Sequence, residues 1–266
     1  MSVKIIITAP RGKMGRLITQ CAAAREDIEI VGALGPEGRD YIGKDLGDVA
    51  MVGRSLGVPV VSDLKEIIDK ADVIIDFSTV EEGRRILKQA LAHGKALVCG
   101  TTGFTEEDRA AFAEAGKTIP CMLAANTSRL VNILYKLVRE AAALAPNTDA
   151  EILEMHDAKK LDAPSGTAKE LGAFIAEARS QKTEDVTRYG RQGRCPRNDG
   201  EIAFHSIRGG DISSSHTVYL VGTGERLELT HHSQSFMCFA TGAVDCALYL
   251  ADKPAGSYTV QDCFGL

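Results

Sequence analysis

Val3–Thr8 is an almost unbroken β-branched run that stops at Ala9-Pro10-Arg11-Gly12. A run of this kind ending in turn residues predicts a buried strand, and the spacing of apolar positions over Lys13–Ala24 predicts a helix after it. The alternation then repeats. Ile28–Leu34, Val58–Val61, Val73–Phe77, Ala96–Cys99 and Ile119–Leu123 read as strands, with helical stretches at Leu64–Lys70, Glu81–His93 and Glu106–Gly116 between them. Strands without polar alternation are covered on both faces, and intervening helices make them parallel. The first half is therefore expected to be a doubly wound α/β domain.

The pattern changes after residue 127. A helix over Ser128–Leu144 precedes a strand at Ala150–His156 and a helix at Thr167–Ser180. Gln181–Gly200 is polar and rich in Arg and Gly, which predicts a long loop or a lid. Glu201–Ile207, Thr217–Val221 and Arg226–Thr230 are short strands joined by Gly-containing turns, so this part is expected to hold an antiparallel or mixed sheet in a smaller α+β domain. A helix at Phe239–Ala251 is expected to close the chain.

Composition narrows the function. The 266 residues are 44% hydrophobic and 25% charged, as in ordinary globular proteins. A net charge of −5 gives no support for a nucleic-acid surface but leaves room for a small anionic ligand. Seven scattered cysteines, with no Cys-x-x-Cys pair, fit a reducing compartment. No apolar run approaches the ~20 residues that span a bilayer, and the start of the chain has no signal-peptide layout. A cytoplasmic protein without membrane contact is expected. His216, His231 and His232 lack acidic or Cys partners at metal spacing, so no metal site is expected and they read as polar residues at strand ends.

The turn after the first strand carries the first candidate chemistry. A strand, a tight turn and a helix start present backbone N–H groups and a positive dipole end to a phosphate. Gly12 and Gly15 allow close backbone approach, Arg11, Lys13 and Arg16 add charge, and Met14 lies between them; Ala9 stands where a dinucleotide fingerprint has its first Gly. A second requirement is an acidic residue at the end of the second strand, for the ribose diol. Gly35 occupies that place and Glu37 falls late, while Arg39 could meet a 2′-phosphate, which leans toward NADPH over NADH. Asp76-Phe77-Ser78-Thr79, Gly100-Thr101-Thr102-Gly103-Phe104 and Ala124-Ala125-Asn126-Thr127-Ser128 each end an apolar strand, on the edge where open α/β sheets bind ligands.

The densest segment is Glu154–Ala168. His156 ends a strand; Lys159, Lys160 and Asp162 follow before Ala163-Pro164-Ser165-Gly166-Thr167 opens a helix. Ser165, Gly166 and Thr167 would offer hydroxyls and backbone N–H groups to a carboxylate. A His beside a Lys supplies proton donors for a substrate nitrogen or carbanion-like centre.

These residues resemble the dihydrodipicolinate reductases along nearly the whole chain. The resemblance rests on Gly12-Lys13-Met14-Gly15-Arg16, Asp76-Phe77-Ser78, Gly100–Phe104, Ala125-Asn126, Lys160-x-Asp162-Ala163-Pro164-Ser165-Gly166-Thr167-Ala168, Arg208-Gly209-Gly210-Asp211, Gly224–His231 and Phe239-Ala240-x-Gly242-Ala243. It implies a Rossmann-like nucleotide domain over residues 1–127 and 236–266, and a substrate and tetramerisation domain over 128–235. It implies hydride transfer from NADPH or NADH to a cyclic imine dicarboxylate in lysine and diaminopimelate synthesis, by a homotetramer. His156 and Lys160 match the acid–base and proton-donor positions, and Gly166 and Thr167 the substrate carboxylate loop. Gly12, Gly100–Thr102 and Ala124–Thr127 match the cofactor contacts.

Several positions depart from the family pattern. Besides Ala9 and Gly35, Asp157 stands in place of a second His that contacts substrate, Ala158-Lys159 in place of Arg-His, Ser214-Ser215 in place of Gly-Glu, and Phe236 in place of Arg. A negative charge at ~4 Å opposes binding of a dicarboxylate by about 1–4 kcal/mol. Either Lys159 neutralises Asp157 or the substrate differs. A paralogous reductase of another imine acid, or a nicotinamide-sensing protein, is the alternative at this point.

Overall fold

The computed structural model describes residues 2–266. Contacts divide it into two compact units, one formed by residues up to Arg129 with Phe236–Leu266, the other by Leu130–Ser235.

In the first unit, β1 (Val3–Thr8), α1 (Lys13–Ala23), β2 (Ile28–Leu34), α2 (Leu46–Val49) and β3 (Val60–Val61) lead to β4 (Val73–Asp76). Then come α3 (Val80–His93), β5 (Ala96–Cys99), α4 (Glu106–Ala115) and β6 (Pro120–Leu123). The seven-stranded sheet has the order β12-β6-β5-β4-β1-β2-β3, every pair parallel; β12 is described below. The chain builds outward from β1 in one direction, then restarts at β4 and builds in the other. The strand order reverses between β1 and β4, where doubly wound sheets open a crevice at their carboxyl edge.

The apolar strand runs follow from burial on both faces. Ile5, Ile7, Val73, Ile75 and Val98 pack against Ile18 of α1 and a run of small residues, Ala240, Ala243 and Ala247, from the C-terminal helix. The alternate residues Ile6, Ile74 and Leu97 pack against Ile86, Leu87 and Ala90 of α3 and Phe112 of α4. Each fully buried Ile or Leu contributes about 1.5–3 kcal/mol.

In the second unit, α5 (Arg129–Leu144), β7 (Asp149–His156) and α6 (Gly166–Ala178) are followed by α7 (Thr183–Val186) and β8 (Thr187–Tyr189). β9 (Ile202–Arg208), β10 (Ser214–Val221) and β11 (Arg226–Ser233) complete a five-stranded mixed sheet of order β11-β10-β7-β9-β8. β8, β9 and β7 run parallel, and β10 is antiparallel to both β7 and β11. Register aligns the strands into rows that share one face. Ile202–Ala150–Leu220–Leu227 and Phe204–Ile152–Val218–Leu229 are apolar, and α5 and α6 cover all but the exposed Leu227 through Leu134, Val138, Leu171 and Ile175. The next row on that face is Ser206–Glu154–His216–His231. The core layer thus turns polar at the carboxyl end of β7.

The chain then returns to the first unit as α8 (Met237–Ala251), β12 (Gly256–Ser257) and α9 (Val260–Phe264). Among the described residues no helix is long and apolar enough to cross a membrane.

Four expectations need correction. Leu64–Lys70 is two 3₁₀ turns, Leu64–Glu66 and Ile68–Lys70, because Ile67 at φ −128° breaks the helix that the spacing of Leu64 and Ile68 suggested. Residues 181–200 are not a free loop or lid. They contain α7 and β8, and Arg191 and Arg197 pin the rest through ion pairs with Glu151, Glu201 and Asp149. The helix at Phe239–Ala251 does not close the chain, since β12 and α9 follow; both are too short to show a period. β10 and β11 are eight residues each, longer than the apolar runs Thr217–Val221 and Arg226–Thr230, because their polar ends pair as fully as their apolar centres.

One contact fixes the loop after β6. A Cβ on Gly242 of α8 would lie 1.7 Å from the Thr127 carbonyl oxygen, and the Thr127 hydroxyl donates to the Phe239 carbonyl at 2.7 Å. Gly242→Ala should therefore cost about 2–3 kcal/mol by overpacking, read as a lower urea midpoint. A loss under about 0.5 kcal/mol would mean that α8 shifts freely.

Candidate active site

The predicted cofactor residues of the first unit all lie on one edge of its sheet, because every strand there runs the same way. Ala9 follows β1 at φ +48°, a conformation that glycine adopts freely and alanine at a cost of about 1 kcal/mol. Its N–H donates to the Leu34 carbonyl and its own carbonyl accepts from Gly12. A Cβ on Gly15 would lie 2.2 Å from that carbonyl, so α1 starts directly against the turn. Gly12 is the N-cap of α1 and provides no side-chain cap, and its lack of a side chain lets a ligand approach this helix start closely. Met14 packs into the core beside it. The Lys13 ammonium lies 3.0 Å from the centre of the Phe236 ring.

Gly35, at the end of β2, has a steric reason that the sequence did not show. A Cβ there would lie 2.6 Å from the Tyr41 ring. Arg11 covers that ring at 5.4 Å and pairs with Asp40 at 2.5 Å, while Arg39 is exposed beside them. Tyr41 thus takes the space that a side chain at position 35 would need, with the Arg11–Asp40 pair over it.

Asp76 ties the edge together. Its carboxylate is buried and accepts from the Thr8 hydroxyl at 2.6 Å, the Thr101 hydroxyl at 3.2 Å and the Ser78 N–H at 3.2 Å. The ends of β1, β4 and β5 are joined through one side chain. Sequence reading found the motif but not this role, which needs the neighbouring strands. Gly100, Thr101 and Thr102 follow β5, and Ala124, Ala125, Asn126 and Thr127 follow β6, where Asn126 accepts from the Ser128 N–H at 2.9 Å.

In the second unit the polar row and the turn after β7 hold the remaining predicted residues. Glu154 has no exposed side-chain surface. One carboxylate oxygen accepts from His156 Nδ1 at 2.6 Å and Arg208 Nη1 at 2.9 Å; the other accepts from Arg208 Nη2 at 2.8 Å and the Ser165 N–H at 3.3 Å. Burial pushes the Glu154 carboxyl up, but hydrogen bonds from His156, Arg208 and Ser206 outweigh it and hold the group well below the usual carboxylate range. Arg208 also donates to the Asp162 carbonyl at 2.7 Å. Lys160 Nζ pairs with the Asp162 carboxylate at 2.7 Å.

Ser165 caps α6 by accepting from the Ala168 N–H at 3.2 Å, and its hydroxyl meets His216 Nε2 at 2.9 Å. His216 in turn lies edge-on to His156, ring centres 5.3 Å apart. Gly166 and Thr167 form the first turn of α6. His156, Lys160, Ser165, Gly166 and Thr167 are therefore joined through Glu154, Arg208, Asp162 and His216. Sequence reading set aside His216 as a strand end and did not single out Glu154 or Arg208. Their signal was available in part, as polar residues at inward positions of strands whose other inward positions are apolar.

The Asp157 carboxylate accepts from the backbone N–H of Lys159 at 2.8 Å, and its charge adds a minor attraction on Arg208.

Residues 3–127 match the model for the dihydrodipicolinate reductase N-terminus and residues 131–264 the model for its C-terminus. The chain belongs to the dihydrodipicolinate reductase family. It is 41% identical to a 4-hydroxy-tetrahydrodipicolinate reductase of Geobacter metallireducens, over 99% of both chains. It is 42% identical to one of Anaeromyxobacter dehalogenans, over 99% of this chain and 98% of that one. Among solved structures, a dipicolinate-bound dihydrodipicolinate reductase from Paenisporosarcina sp. TG-14 matches with a TM-score of 0.78 at 29% identity, covering 98% of this chain and 99% of that one. An amine dehydrogenase from Mycobacterium smegmatis, at 15% identity and a TM-score of 0.61, shares the fold alone. As a dihydrodipicolinate reductase family member, the chain is an NAD(P)H-dependent oxidoreductase with a Rossmann-like nucleotide domain.

The buried His216 gives this site an acid-sensitive element. Burial presses its imidazole down to about 3, and lowers His231 in the same way. Below about pH 6.5 an unfolded His216 takes up a proton that the folded protein refuses until about pH 3. Stability is therefore complete above the unfolded value and is lost as pH falls. The slope reaches about 1.4 kcal/mol per pH unit, so this group should remove about 2 kcal/mol between pH ~7 and ~5 in urea unfolding. His216→Gln should shrink that loss by a similar amount. An identical acid slope in both proteins would contradict the assignment.

Proposed function

We propose that the chain reduces 4-hydroxy-tetrahydrodipicolinate to tetrahydrodipicolinate in lysine and diaminopimelate synthesis. The observation that carries this reading is the meeting of His156, Lys160 and the Ser165-Gly166-Thr167 helix start in one hydrogen-bonded site within a chain of this family. Two proton donors lie beside a receptor for a carboxylate, which is the chemistry that a dicarboxylate imine requires.

NADPH or NADH, when bound, supplies the hydride. The chain's residues fit such a cofactor: the α1 N-terminus has no side-chain cap, and Gly12 and Gly15 keep the turn narrow. In this reading Ala9, Gly12, Lys13 and Met14 hold the pyrophosphate side, Gly35 and Arg39 the ribose side, and Gly100–Thr102 with Ala124–Thr127 the nicotinamide side. Tyr41 in the space that a side chain at position 35 would need, with Arg39 beside it, supports NADPH.

Gly166 and Thr167 hold a substrate carboxylate through the N–H groups and dipole of α6. A Cβ on Gly166 would touch nothing within 4 Å. Packing therefore does not demand a glycine there, and its absent side chain leaves the helix start open to a ligand. His156 and Lys160 deliver the proton that accompanies the hydride, and Asp162 keeps the Lys160 ammonium in place. Asp157 turns its carboxylate onto the backbone of its own turn, which supports retention of a dicarboxylate substrate.

The proposal includes a homotetramer in the cytoplasm, where the seven free thiols stay reduced. Light scattering should give about four times the 28.4 kDa chain mass; a monomer would contradict this part. Steady-state assays with the named substrate should give a kcat/KM of about 10⁴ M⁻¹s⁻¹ or more, with NADPH preferred. Activity a thousandfold lower, together with turnover of another cyclic imine acid, would favour the paralogue that Asp157 first suggested. Lys160→Ala should lower kcat by roughly 10²–10⁴-fold with little change in cofactor KM. An unchanged kcat would remove Lys160 from proton donation.

A further inference from the structure

We infer that Glu154 is a positioning residue, which decides the nitrogen that His156 presents outward and sets the α6 start in register with that ring. The inference rests on the reading of His156 as a proton donor.

A carboxylate at this place is not explained by stability. The two preceding residues on the same strand face are Ala150 and Ile152, and an apolar residue at 154 would extend their rows. Burying an ion pair costs several kcal/mol per charge before attraction is counted, and well-packed hydrophobic replacements are often neutral or stabilising. The geometry supplies another reason. An ionised carboxylate accepts and never donates. Its 2.6 Å contact with His156 Nδ1 therefore requires the proton on Nδ1 and leaves Nε2 as the ring atom that can give or take a proton at the substrate.

The same side chain spans the site. Glu154 accepts from the Ser165 N–H, and its partner Arg208 donates to the Asp162 carbonyl, so the pair grips both ends of the turn that joins Lys160 to α6. His216 closes the circuit, with its edge against His156 and its Nε2 on the Ser165 hydroxyl. His156 cannot rotate to exchange its nitrogens without breaking a charge-assisted hydrogen bond inside a sheet row.

Two measurements test this. The full-length protein labelled with ¹⁵N-histidine, at alkaline pH where imidazoles are neutral, should show His156 as the Nδ1–H tautomer, its signal identified by its loss in His156→Gln. Glu154→Gln, which keeps the volume but brings an amide donor, should lower kcat by about 10²-fold or more, as loss of the carboxylate behind a catalytic His does elsewhere. NADPH affinity should change by less than about 3-fold, and the His156 tautomer should shift. An Nε2–H tautomer in the wild-type protein would overturn the inference, whether or not Glu154→Gln folds. So would a folded Glu154→Gln with wild-type kcat. If the wild-type protein fails to reduce the substrate, the proposed function falls while the tautomer still reports on Glu154.

Discussion

A carboxylate without exposed surface, held by a bidentate arginine, stands in the third row of a sheet face whose first two rows are apolar. The arrangement around the candidate proton donors depends on that pair. Glu154 is on β7, Arg208 ends β9, and the two strands run parallel in register, so their polar ends arrive together. The hydrophobic rows beneath fix where the strands lie, and the ion pair then converts that position into directed hydrogen bonds. One reaches a His ring, one a helix N-terminus and one a loop carbonyl. Specificity of geometry is the return on a desolvation cost that burial alone would make unfavourable.

The first unit solves a similar problem with no cation. Asp76 is as deeply buried, yet its three N–H and O–H donors are neutral: two hydroxyls and a backbone amide. They come from the ends of three adjacent strands. Parallel strands joined by helices have no hairpin to hold their ends in register, so a shared acceptor at the carboxyl edge does that work. Loops emerging from β1, β4 and β5 can then differ in sequence while keeping common anchors.

The fold was legible where burial imposes a period. The β-branched runs of β1 and β4 and the helical faces of α1 and α3 carry enough turns to be read. Ile67 defeated that reading, because a period of four between Leu64 and Ile68 is also satisfied by two 3₁₀ turns. Arg191 and Arg197 defeated it differently: a segment rich in Arg and Gly looks unbound until Glu151 on β7 and Glu201 just before β9 are seen across from it. The candidate site divides in the same way. His156, Lys160 and Ser165–Thr167 are close in sequence and could be found as a cluster. Glu154 lies in the same segment, but Arg208 and His216 meet it only through strand register, which spans 54 residues between Glu154 and Arg208.

The departures from the family pattern are better understood as local exchanges than as decay. Gly35 cannot be replaced without moving Tyr41, so the missing acidic ribose ligand follows from an aromatic residue that Arg11 covers. Phe236, in place of an Arg, receives on its ring face the ammonium of Lys13, a residue that the family pattern already has at the start of α1. Asp157 brings a negative charge but satisfies it within two residues. Ala9 is the exception: its methyl group is held in a left-handed turn at a cost, and nothing in the structure explains why glycine is not there. The chain of contacts from Arg208 through Glu154 to His156 and Ser165 leaves no room for such an exchange. Altering any member would strand a buried charge or an unpaired donor, whereas the altered positions each leave their neighbours satisfied. The constraint on this part of the protein is therefore electrostatic, and it is strictest where the sheet core turns polar.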